Sequence, residues 1–556
     1  MSFLFLAGAI LLFYGLAGQP RARLWLVAKL ISLFGFLLAA CFLLAYDWHL
    51  QPVEIGLINR VAVWWMSLRA RLGLAGLPPF PPIEVDVIAG ILVVLAPFPF
   101  ALGLHGWRLN TNEDRLSPER DAVEPLFPFH LLSTVHLGFW PGVISGLVIL
   151  VAIFLSAERG PWLALAGTGA LWAWWAASEP LSALLVRPHK LVFVSGLLLI
   201  SLLFIVLVLG GSLDRLYPGG LKTIADALPG PSQVDSRLEV WRNTLHLLAD
   251  FPFTGGGLQA FPGLYSHYIL YIPFSYLESS HNLFLEVAIQ QGPFGLFALL
   301  LVLGGSICLL WAYLGHRDEF SPLRGATLSG LVVLILYGLV DNILYPGFDV
   351  LFLFLLPGLA VATSRATAHA VTTPSAVARL LSVRRPVVYF RLALILGAFF
   401  VLTGWHRQLQ GSWYANRGAV YMARSELAGF PSGEWGADIY SAEVSPAIDL
   451  FEKALQIDPH QPTAHFRLGM VANQVYDFPT AVRHLEKAHP ERHPGVRKAL
   501  GYSYVWLERF DAAEPILRDF PQARKELIDY AVWWERLQRS DLAEAARQMW
   551  AILYGS

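Results

Sequence analysis

The chain has 556 residues, of which 55% are hydrophobic, and its mean hydropathy is +0.52. Soluble globular proteins are rarely so apolar, and the repeated apolar runs of about 20 residues match the hydrocarbon thickness of a bilayer. The net charge of −1 excludes the basic footprint of a nucleic-acid-binding protein. Both cysteines, Cys41 and Cys308, lie inside apolar runs, so neither a disulfide framework nor a cysteine metal site is indicated.

The apolar runs predict an all-α fold, a polytopic helical membrane protein with about 10 to 12 spans. The predicted spans lie near residues 3–18, 24–46, 86–105, 138–157, 161–178, 190–211, 294–314, 325–340, 347–363 and 389–404. The connection 364–391 carries five arginines and no acidic residue, so the positive-inside rule predicts that it is cytoplasmic. Counting from it places a large loop at about 212–282, and the chain after residue 404, outside the cytoplasm. The stretch LINRVAVWWMSLRARLG (57–73) has mixed apolar and basic faces and is predicted to be an interfacial helix.

After residue 404 the composition becomes that of a soluble protein, and a repeat is visible. The segments LFEKALQIDP and HLEKAHP place Phe451 and Leu485 about 34 residues apart, and Ala464 and Ala499 recur at nearly the same spacing. This period, with small residues inside paired helices, resembles tetratricopeptide repeats, which stack into a soluble α-solenoid. Such an array over 406–556 either only caps and stabilises the membrane domain or offers a docking surface to a protein or glycan partner.

The large loop contains DSRLEVWRNTLHLLADFPFTGGG (235–257), which predicts a helix. Ser236 and Glu239 have the spacing of a capping box at its start, and Pro252 and three glycines end it. The glycines lack the strand and the lysine of a phosphate loop, so they indicate a turn. The apolar stripe expected at helical spacing consists of Leu238, Trp241, Leu245 and Leu248.

Arg237 lies in the first turn of this helix, where the helix dipole makes a cation slightly unfavourable. A bound anion would give that penalty a reason, because the guanidinium and the free N–H groups of the helix start would converge on it. Arg237 is therefore either an anion ligand or an ordinary solvated arginine. Arg215, in GSLDRLYPGG, is a weaker candidate of the same kind.

The stretch ESSHNLFLEVAIQQGPFG (278–295) is polar, then apolar, and is interrupted at Gly292-Pro293. Ser279 or Ser280 is predicted to cap a helix that begins with His281. The positive end of a helix disfavours the imidazolium ion, so His281 would stay neutral, as a general base must be. The alternative is a capping or interfacial histidine. Glu286, at the start of the apolar part, is predicted either to pair with an arginine or to transfer protons.

Two further positions are candidates at the outer face. Arg159, in LSAERGPWLALAG, follows the fourth predicted span and either faces a polyanionic ligand or snorkels at the membrane interface. Asp341 and Asn342, in YGLVDNILYPGF, lie at the outer end of the eighth predicted span. Asp341 is predicted to be a structural partner rather than a catalyst.

These motifs occur in a familiar order: an ERG turn, a long outer loop with R-x-x-x-W, then G-x-G and SHN-x-x-L-x-x-x-x-x-x-G, and a D-N turn. The arrangement resembles the O-antigen ligase/polymerase superfamily, bacterial membrane glycosyltransferases of the GT-C type. The ERG turn departs from that family's serine-arginine-glycine motif, because glutamate replaces serine. The resemblance covers the segment 1–405, is firmest across 235–295, and makes 1–405 a multispanning glycosyltransferase-like domain.

The resemblance implies a transfer without metal or cofactor at the outer face of the bacterial inner membrane, among membrane lipids. The donor is an undecaprenyl-pyrophosphate-linked glycan, and the acceptor is a hydroxyl of a lipid, a glycan or a protein. Carried onto this sequence, His281 is the catalytic base, and Glu286, Asn282 and Asp341 are supporting residues. The pyrophosphate ligands implied in this way are Arg237, Arg159 and Arg215. A single displacement would invert the anomeric carbon.

Two other functions remain open at this stage. A transporter or flippase of lipid-linked glycans would bind the same anions without reacting, although no internal repeat within the spans supports it. A non-catalytic membrane anchor for the repeat domain would leave the polar residues of the large loop without a reason to cluster. The sequence alone does not separate ligation to a lipid, ligation to a protein and polymerisation of repeat units.

Overall fold

The computed structural model describes residues 2–46, 56–71, 84–110, 139–177, 237–269, 277–342, 344–345, 347–368, 405–427 and 444–555. In these residues the backbone forms helices and no strands, which confirms the all-helical fold class. The predicted spans at 190–211 and 389–404 lie outside the described residues, as do Arg215, Ser236 and most of the connection 364–391.

The N-terminal part of the described chain consists of helices. In chain order they are α1 (Ser2–Ala17), α2 (Leu24–Ala45), α3 (Gly56–Arg71), α4 (Val85–Leu95), α5 (Pro97–Asn110), α6 (Phe139–Leu155), α7 (Arg159–Ala177), α8 (Arg237–Leu248), α9 (Phe261–Ile269), α10 (Leu283–Tyr313), α11 (Ser321–Gly338) and α12 (Val350–Ala368). The C-terminal helices are α13 (His406–Glu426), α14 (Ser445–Ile457), α15 (Pro462–Gln474), α16 (Phe478–Leu485), α17 (Pro494–Trp506), α18 (Phe510–Leu517), α19 (Ala523–Arg536) and α20 (Ser540–Tyr554).

Five helical segments of the described chain are long and apolar enough to cross a membrane. They are Arg21–Ala45, Val85–Arg108, Leu283–Tyr313, Ser321–Gly338 and Gly347–Ala368. These segments confirm a multi-pass membrane protein. Shorter apolar helices form at Phe3–Ala17 and Phe139–Leu155, and α7 forms where a span was predicted at 161–178. The total of about 10 to 12 spans and their orientation stay predictions.

The chain divides into two compact units, which do not follow the predicted domain boundary at residue 405. The first comprises Met1–Gly230, His281–Leu283 and Leu299–Ser382. The second comprises Pro231–Ser280, Phe284–Ala298 and Val383–Ser556. The difference arises because part of the predicted outer loop packs with the C-terminal helices.

In the first unit, α11 is buried along most of its length and contacts α4, α5, α7 and α12. The helices approach closely where small residues face one another. A Cβ atom on Gly142 of α6 would lie 2.6 Å from the carbonyl oxygen of Pro99 in α5, so only glycine fits there. Close backbone approach at small residues is the usual packing of membrane helices, because lipid provides no hydrophobic drive for helix association.

In the second unit, one apolar core joins the large loop to the C-terminal helices. Val240 and Leu247 of α8, Phe261 of α9, Met422 of α13 and Phe451 of α14 are all buried in it. Removing such side chains from water is the main favourable term in folding. The large-loop helices and the C-terminal helices therefore stabilise each other.

The C-terminal helices pack mostly against their neighbours in the chain, as stacked helix pairs do. Phe451, Leu485, Ala464 and Ala499, the positions from which the repeat was inferred, are all fully buried. They therefore serve as core positions of successive helices. The assignment of these helices to tetratricopeptide repeats stays a prediction.

Candidate functional site

His281 lies just before α10 and not inside it. The helix begins at Leu283, so the prediction of a helix start at His281 capped by Ser279 or Ser280 was wrong. Ser280 instead donates both its N–H (2.9 Å) and its hydroxyl (2.7 Å) to Oε2 of Glu286. His281 has φ of 49°, a left-handed conformation that few residues other than glycine adopt.

Asp341, which follows α11, lies beside His281. Its Oδ1 is 3.7 Å from Nδ1 of His281, and the two side chains are 15% and 29% exposed. The same oxygen accepts the N–H of Asn342 at 2.8 Å, which fixes the carboxylate at the end of the helix. A carboxylate on the Nδ1 side orients the imidazole and leaves Nε2 for proton transfer. The role of Asp341 as a structural partner stays a prediction.

Asn282 and Leu283 attach this histidine segment to the end of α11. The buried amide of Asn282 donates from Nδ2 to the carbonyl oxygen of Leu339 at 2.9 Å. Leu283 packs against Gly338, where a Cβ atom would lie 2.9 Å from Cδ2 of the leucine. The carbonyl groups that end a helix have no partner within it, and Asn282 provides one of them with a donor.

Arg159 is the first residue of α7, and this helix start reaches the same end of α11. A Cβ atom on Gly160 would lie 2.8 Å from the ring of Tyr337 and 3.6 Å from Val340. Arg159 itself is partly buried. The start of α7, with its arginine, and the segment with His281, Asn282 and Asp341 therefore both lie at the C-terminal end of α11. A helix N-terminus beside an arginine is a favourable environment for an anion.

Arg237 and Glu286 lie in the second compact unit. Arg237 begins α8, as predicted, and is partly buried. Trp241, one turn later on the same helix, donates from Nε1 to the carbonyl oxygen of Ser280 at 3.1 Å. Glu286 is 2% exposed and its Oε1 accepts from Nε2 of Gln290 at 2.6 Å. Arg215 lies outside the described residues.

The apolar stripe predicted for α8 was wrong. The buried residues of the helix are Val240, Thr244 and Leu247, whereas Leu238 and Leu245 are 65% and 56% exposed. The buried face points to the core shared with α9 and α13, and no pattern within α8 reveals which of its two apolar faces has that neighbour.

The Gly292-Pro293 break interrupts α10, as the sequence indicated. Gly292 has φ of 73°, and a Cβ atom there would lie 2.6 Å from the carbonyl oxygen of Phe253. The turn of glycines 255–257 contacts α10 next to this break. Gly256 and Gly257 donate their N–H groups to the carbonyl oxygens of Ile289 and Gln290, at 2.7 and 3.1 Å. Pro293 has no N–H with which to bond the carbonyl oxygen of Ile289, four residues earlier. The glycines therefore complete the hydrogen bonding of a broken helix.

Sequence reasoning missed two residues that organise this region, Gln290 and Asn416. Gln290 bridges Glu286 and the backbone N–H of Gln259, which donates to its Oε1 at 2.8 Å. Asn416 of α13, fully buried, accepts the N–H of Phe253 at 3.1 Å and donates to the hydroxyl of Thr254. Gln290 stands four residues after Glu286 in the sequence, and that helical spacing was a usable signal. For Asn416 and Trp241 no local pattern indicates the partner.

Possible metal ligands do not cluster in this part of the protein. No group of three or more His, Cys, Asp or Glu side chains that could hold a metal ion occurs among the described residues.

Residues 144–300 match the sequence model of the O-antigen ligase family. This part of the chain resembles an O-antigen ligase. The matched segment contains Arg159, Arg237 and His281, and it supports the resemblance to the ligase/polymerase superfamily that the motifs indicated. The O-antigen ligase match suggests a glycosyltransferase-like activity in the cell envelope. No curated protein and no solved structure matches the chain.

Proposed function

We propose that this protein transfers a glycan from an undecaprenyl-pyrophosphate-linked donor to an acceptor hydroxyl, as an O-antigen ligase or polymerase does. The observation that carries the proposal is the pairing of His281 with Asp341 at the end of α11, beside the start of α7 with its arginine. The end of α11 thus has a candidate base next to a helix start that is suited to binding an anion. Such a pair fits a reaction that deprotonates a hydroxyl and releases a pyrophosphate. The O-antigen ligase match over residues 144–300, which include Arg159 and His281, supports this reading.

In the proposed reaction His281 removes the proton of the acceptor hydroxyl at Nε2. The acceptor oxygen forms a bond to the anomeric carbon while the bond from that carbon to the pyrophosphate oxygen breaks. The electron pair leaves with undecaprenyl pyrophosphate, and this single displacement inverts the anomeric carbon. Asp341 stabilises the imidazolium ion that His281 becomes.

The leaving group carries the developing negative charge, so cationic groups that hold it lower the barrier. Arg159 and Arg237 are the proposed pyrophosphate ligands, with Arg215 as a third. Arginine suits this role because its guanidinium stays charged and binds phosphate oxygens in a bidentate manner. The two phosphates already activate the leaving group, so the proposed reaction is metal-independent.

The proposed location is the bacterial inner membrane, with the large loop and the C-terminal helices outside the cytoplasm. The arginine-rich connection 364–391 supports this orientation through the positive-inside rule. Reporter fusions after residue 404 test it. Activity of a reporter that works only in the cytoplasm would overturn the orientation, and with it a reaction at the outer face.

The decisive experiment uses the full chain, purified and placed in lipid nanodiscs. It receives an undecaprenyl-pyrophosphate-linked glycan and, in separate reactions, a lipid, a glycan or a protein acceptor, and donor consumption is followed. We expect transfer to at least one acceptor, and a loss of about 100- to 10,000-fold in His281→Ala. Arg159→Ala and Arg237→Ala should raise the donor KM and lower kcat.

The matched control is His460→Ala, which removes an exposed histidine in the turn between α14 and α15. It should keep the activity of the unaltered chain. Full activity in His281→Ala would remove the assigned base. A chain that moves the donor across the bilayer without consuming it would favour the flippase instead, and a chain that does neither would favour a membrane anchor.

A further inference from the structure

Glu286 is the centre of a buried hydrogen-bond network that ends at the residue before His281. Its Oε2 accepts two hydrogen bonds from Ser280, one from the N–H at 2.9 Å and one from the hydroxyl at 2.7 Å. Its Oε1 accepts from Nε2 of Gln290 at 2.6 Å. Glu286 is 2% exposed. A charge so deeply buried is tolerated only when hydrogen bonds replace its hydration.

The orientation of the Gln290 amide follows from its other partner. The backbone N–H of Gln259 can only donate, and it lies 2.8 Å from the oxygen of that amide. The amide nitrogen must therefore face Glu286 as a donor. Both carboxylate oxygens of Glu286 thus accept from fixed donors, an arrangement suited to holding a geometry rather than to moving a proton.

Ser280 is held at its carbonyl group as well. Nε1 of Trp241 donates to the carbonyl oxygen of Ser280 at 3.1 Å. The N–H, the hydroxyl and the carbonyl oxygen of this one residue therefore all have partners. Trp241 stands one turn after Arg237 on α8, so the same helix carries a proposed pyrophosphate ligand and a clamp on the residue that precedes the proposed base.

His281 needs such support because of its backbone. A φ of 49° is sparsely populated for residues other than glycine, and it persists only where neighbouring interactions impose it. Ser280 is fixed before it in the chain, and Asn282 after it donates to the carbonyl oxygen of Leu339 at 2.9 Å. With both flanking residues fixed, the backbone sets the direction of the Cα–Cβ bond from which the imidazole projects.

We propose that Glu286, together with Gln290 and Trp241, is a positioning residue that holds Ser280 so that His281 keeps its left-handed backbone and its orientation as a base. This inference rests on the proposed function for its catalytic meaning. It adds to the two roles predicted for Glu286, pairing with an arginine and proton transfer, a third in which the carboxylate acts on the base through Ser280.

The test compares Glu286→Gln with Glu278→Gln in the full chain. Both variants replace a carboxylate by an amide within the same segment, but Glu278 is exposed. In Glu286→Gln the new NH₂ group must face one of the donors now bound by the carboxylate. We expect kcat for donor consumption to fall about 10- to 100-fold, with the donor KM changed less than about twofold. Glu278→Gln should behave as the unaltered chain.

Two readouts separate positioning from a general structural role. In a His281→Ala background, Glu286→Gln should cause no further loss, because a positioning residue acts only through the base. In Glu286→Gln the midpoint of the pH profile of kcat should be unchanged, and only the maximal kcat should fall. An equal loss in both backgrounds, or a displaced midpoint, would overturn the proposal.

Hydrogen exchange gives a measurement that does not depend on catalysis. The N–H of Ser280 should exchange faster in Glu286→Gln than in Glu278→Gln, since its acceptor is weakened. Equal exchange in the two variants would overturn the network even if transfer is observed. Faster exchange in a chain that consumes no donor would instead support the network and count against the proposed function.

If Glu286→Gln fails to fold, Ser280→Ala decides. This variant removes only the hydroxyl donor and keeps the backbone N–H, so we expect a loss of about 3- to 10-fold in kcat that disappears in the His281→Ala background. Unchanged kcat in Ser280→Ala would then overturn the proposal.

Discussion

At the residue scale, the carboxylate of Asp341 is expected to orient His281 and also to stabilise its imidazolium form by charge. Replacing Asp341 by asparagine keeps the size of the side chain and removes the charge that would stabilise the imidazolium ion. We expect kcat for donor consumption to fall about 10- to 100-fold, less than the roughly 10,000-fold typical of a buried triad carboxylate. The smaller effect follows from the 3.7 Å separation and from the partial exposure of both side chains. Initial rates of donor consumption measure it.

The control for this substitution is Asp449→Asn, which makes the same chemical change at an exposed position of α14. It should leave the rate unchanged. If Asp341→Asn loses no more activity than Asp449→Asn, the carboxylate does not assist His281.

The sequence indicated both His281 and Asp341 but not their pairing. Each stood out by itself, the histidine beside a membrane-like run and the aspartate at the end of a predicted span. Their proximity depends on Asn282 and Leu283, which attach the histidine segment to the end of α11. That attachment is a tertiary contact between segments far apart in the sequence, so no local periodicity encodes it.

At the element scale, the break in α10 depends on a glycine that no other residue can replace without strain. In Gly292→Ala the new methyl group would meet the carbonyl oxygen of Phe253 at 2.6 Å, and the left-handed φ of 73° would be unfavourable. We expect the free energy of unfolding to fall by at least about 1–3 kcal/mol, the usual cost of such backbone strain. The thermal unfolding midpoint in detergent, followed by tryptophan fluorescence, would fall accordingly.

Gly304 offers a matched control on the same helix. A Cβ atom there meets nothing within 4 Å. Gly304→Ala should therefore raise the unfolding midpoint slightly, because alanine is a better helix former than glycine by up to about 1 kcal/mol. Equal midpoints in the two variants would contradict the role assigned to Gly292.

Comparison of α8 with α10 shows which parts of an element a sequence can specify. Glycine and proline act on the backbone itself, so the pair at 292–293 predicted the interruption of α10 correctly. The buried face of α8 was predicted wrongly because leucines occur on two sides of the helix. Only the packing of neighbouring helices decides which side is buried. Leu238 and Leu245 fit the helical period as well as Val240 and Leu247 do.

At the scale of the whole molecule, the joining of the large loop to the C-terminal helices places a buried ion pair inside the second unit. Arg467 of α15 donates from Nη2 to Oδ2 of Asp250 at 2.8 Å, and the two side chains are 8% and 3% exposed. In Asp250→Ala the arginine would stay buried without this carboxylate, and the unit should lose about 3–5 kcal/mol of stability. The double variant Asp250→Leu with Arg467→Met should unfold closer to the unaltered chain, since no charge is left behind.

The exposed pair of Arg497 and Asp519 is the control for this prediction. Asp519→Ala should change the free energy of unfolding by less than about 1 kcal/mol, because exposed ion pairs contribute little. If Asp250→Ala is as mild as Asp519→Ala, the ion pair is not part of the core that joins the loop to the C-terminal helices.

The same unit should lose stability as the pH falls, because it buries neutral histidines. Burial, the largest cause, lowers the pKa of His493, and the nearby His246 and Arg467 lower it further, while Asp250 acts in the opposite direction. Burial also lowers the pKa of His246, His465 and His484. The unfolded chain therefore binds protons more readily than the folded chain does. The stabilisation is complete above the unfolded value of about 6.5 and is lost as the pH falls below it toward the lowered folded values.

His493→Asn tests this linkage without removing the helix cap that His493 provides. Nδ1 of His493 accepts the N–H of Val496 at the start of α17, and asparagine is also a good capping residue. The unfolding midpoint of this variant should fall less between about pH 7 and about pH 5 than that of the unaltered chain. His489→Asn, at an exposed left-handed position that asparagine tolerates, should keep the full pH dependence. If His493→Asn also keeps the full pH dependence, protonation of His493 does not destabilise the unit. The charge of His493 would then not affect the stability of the core shared by the large loop and the C-terminal helices.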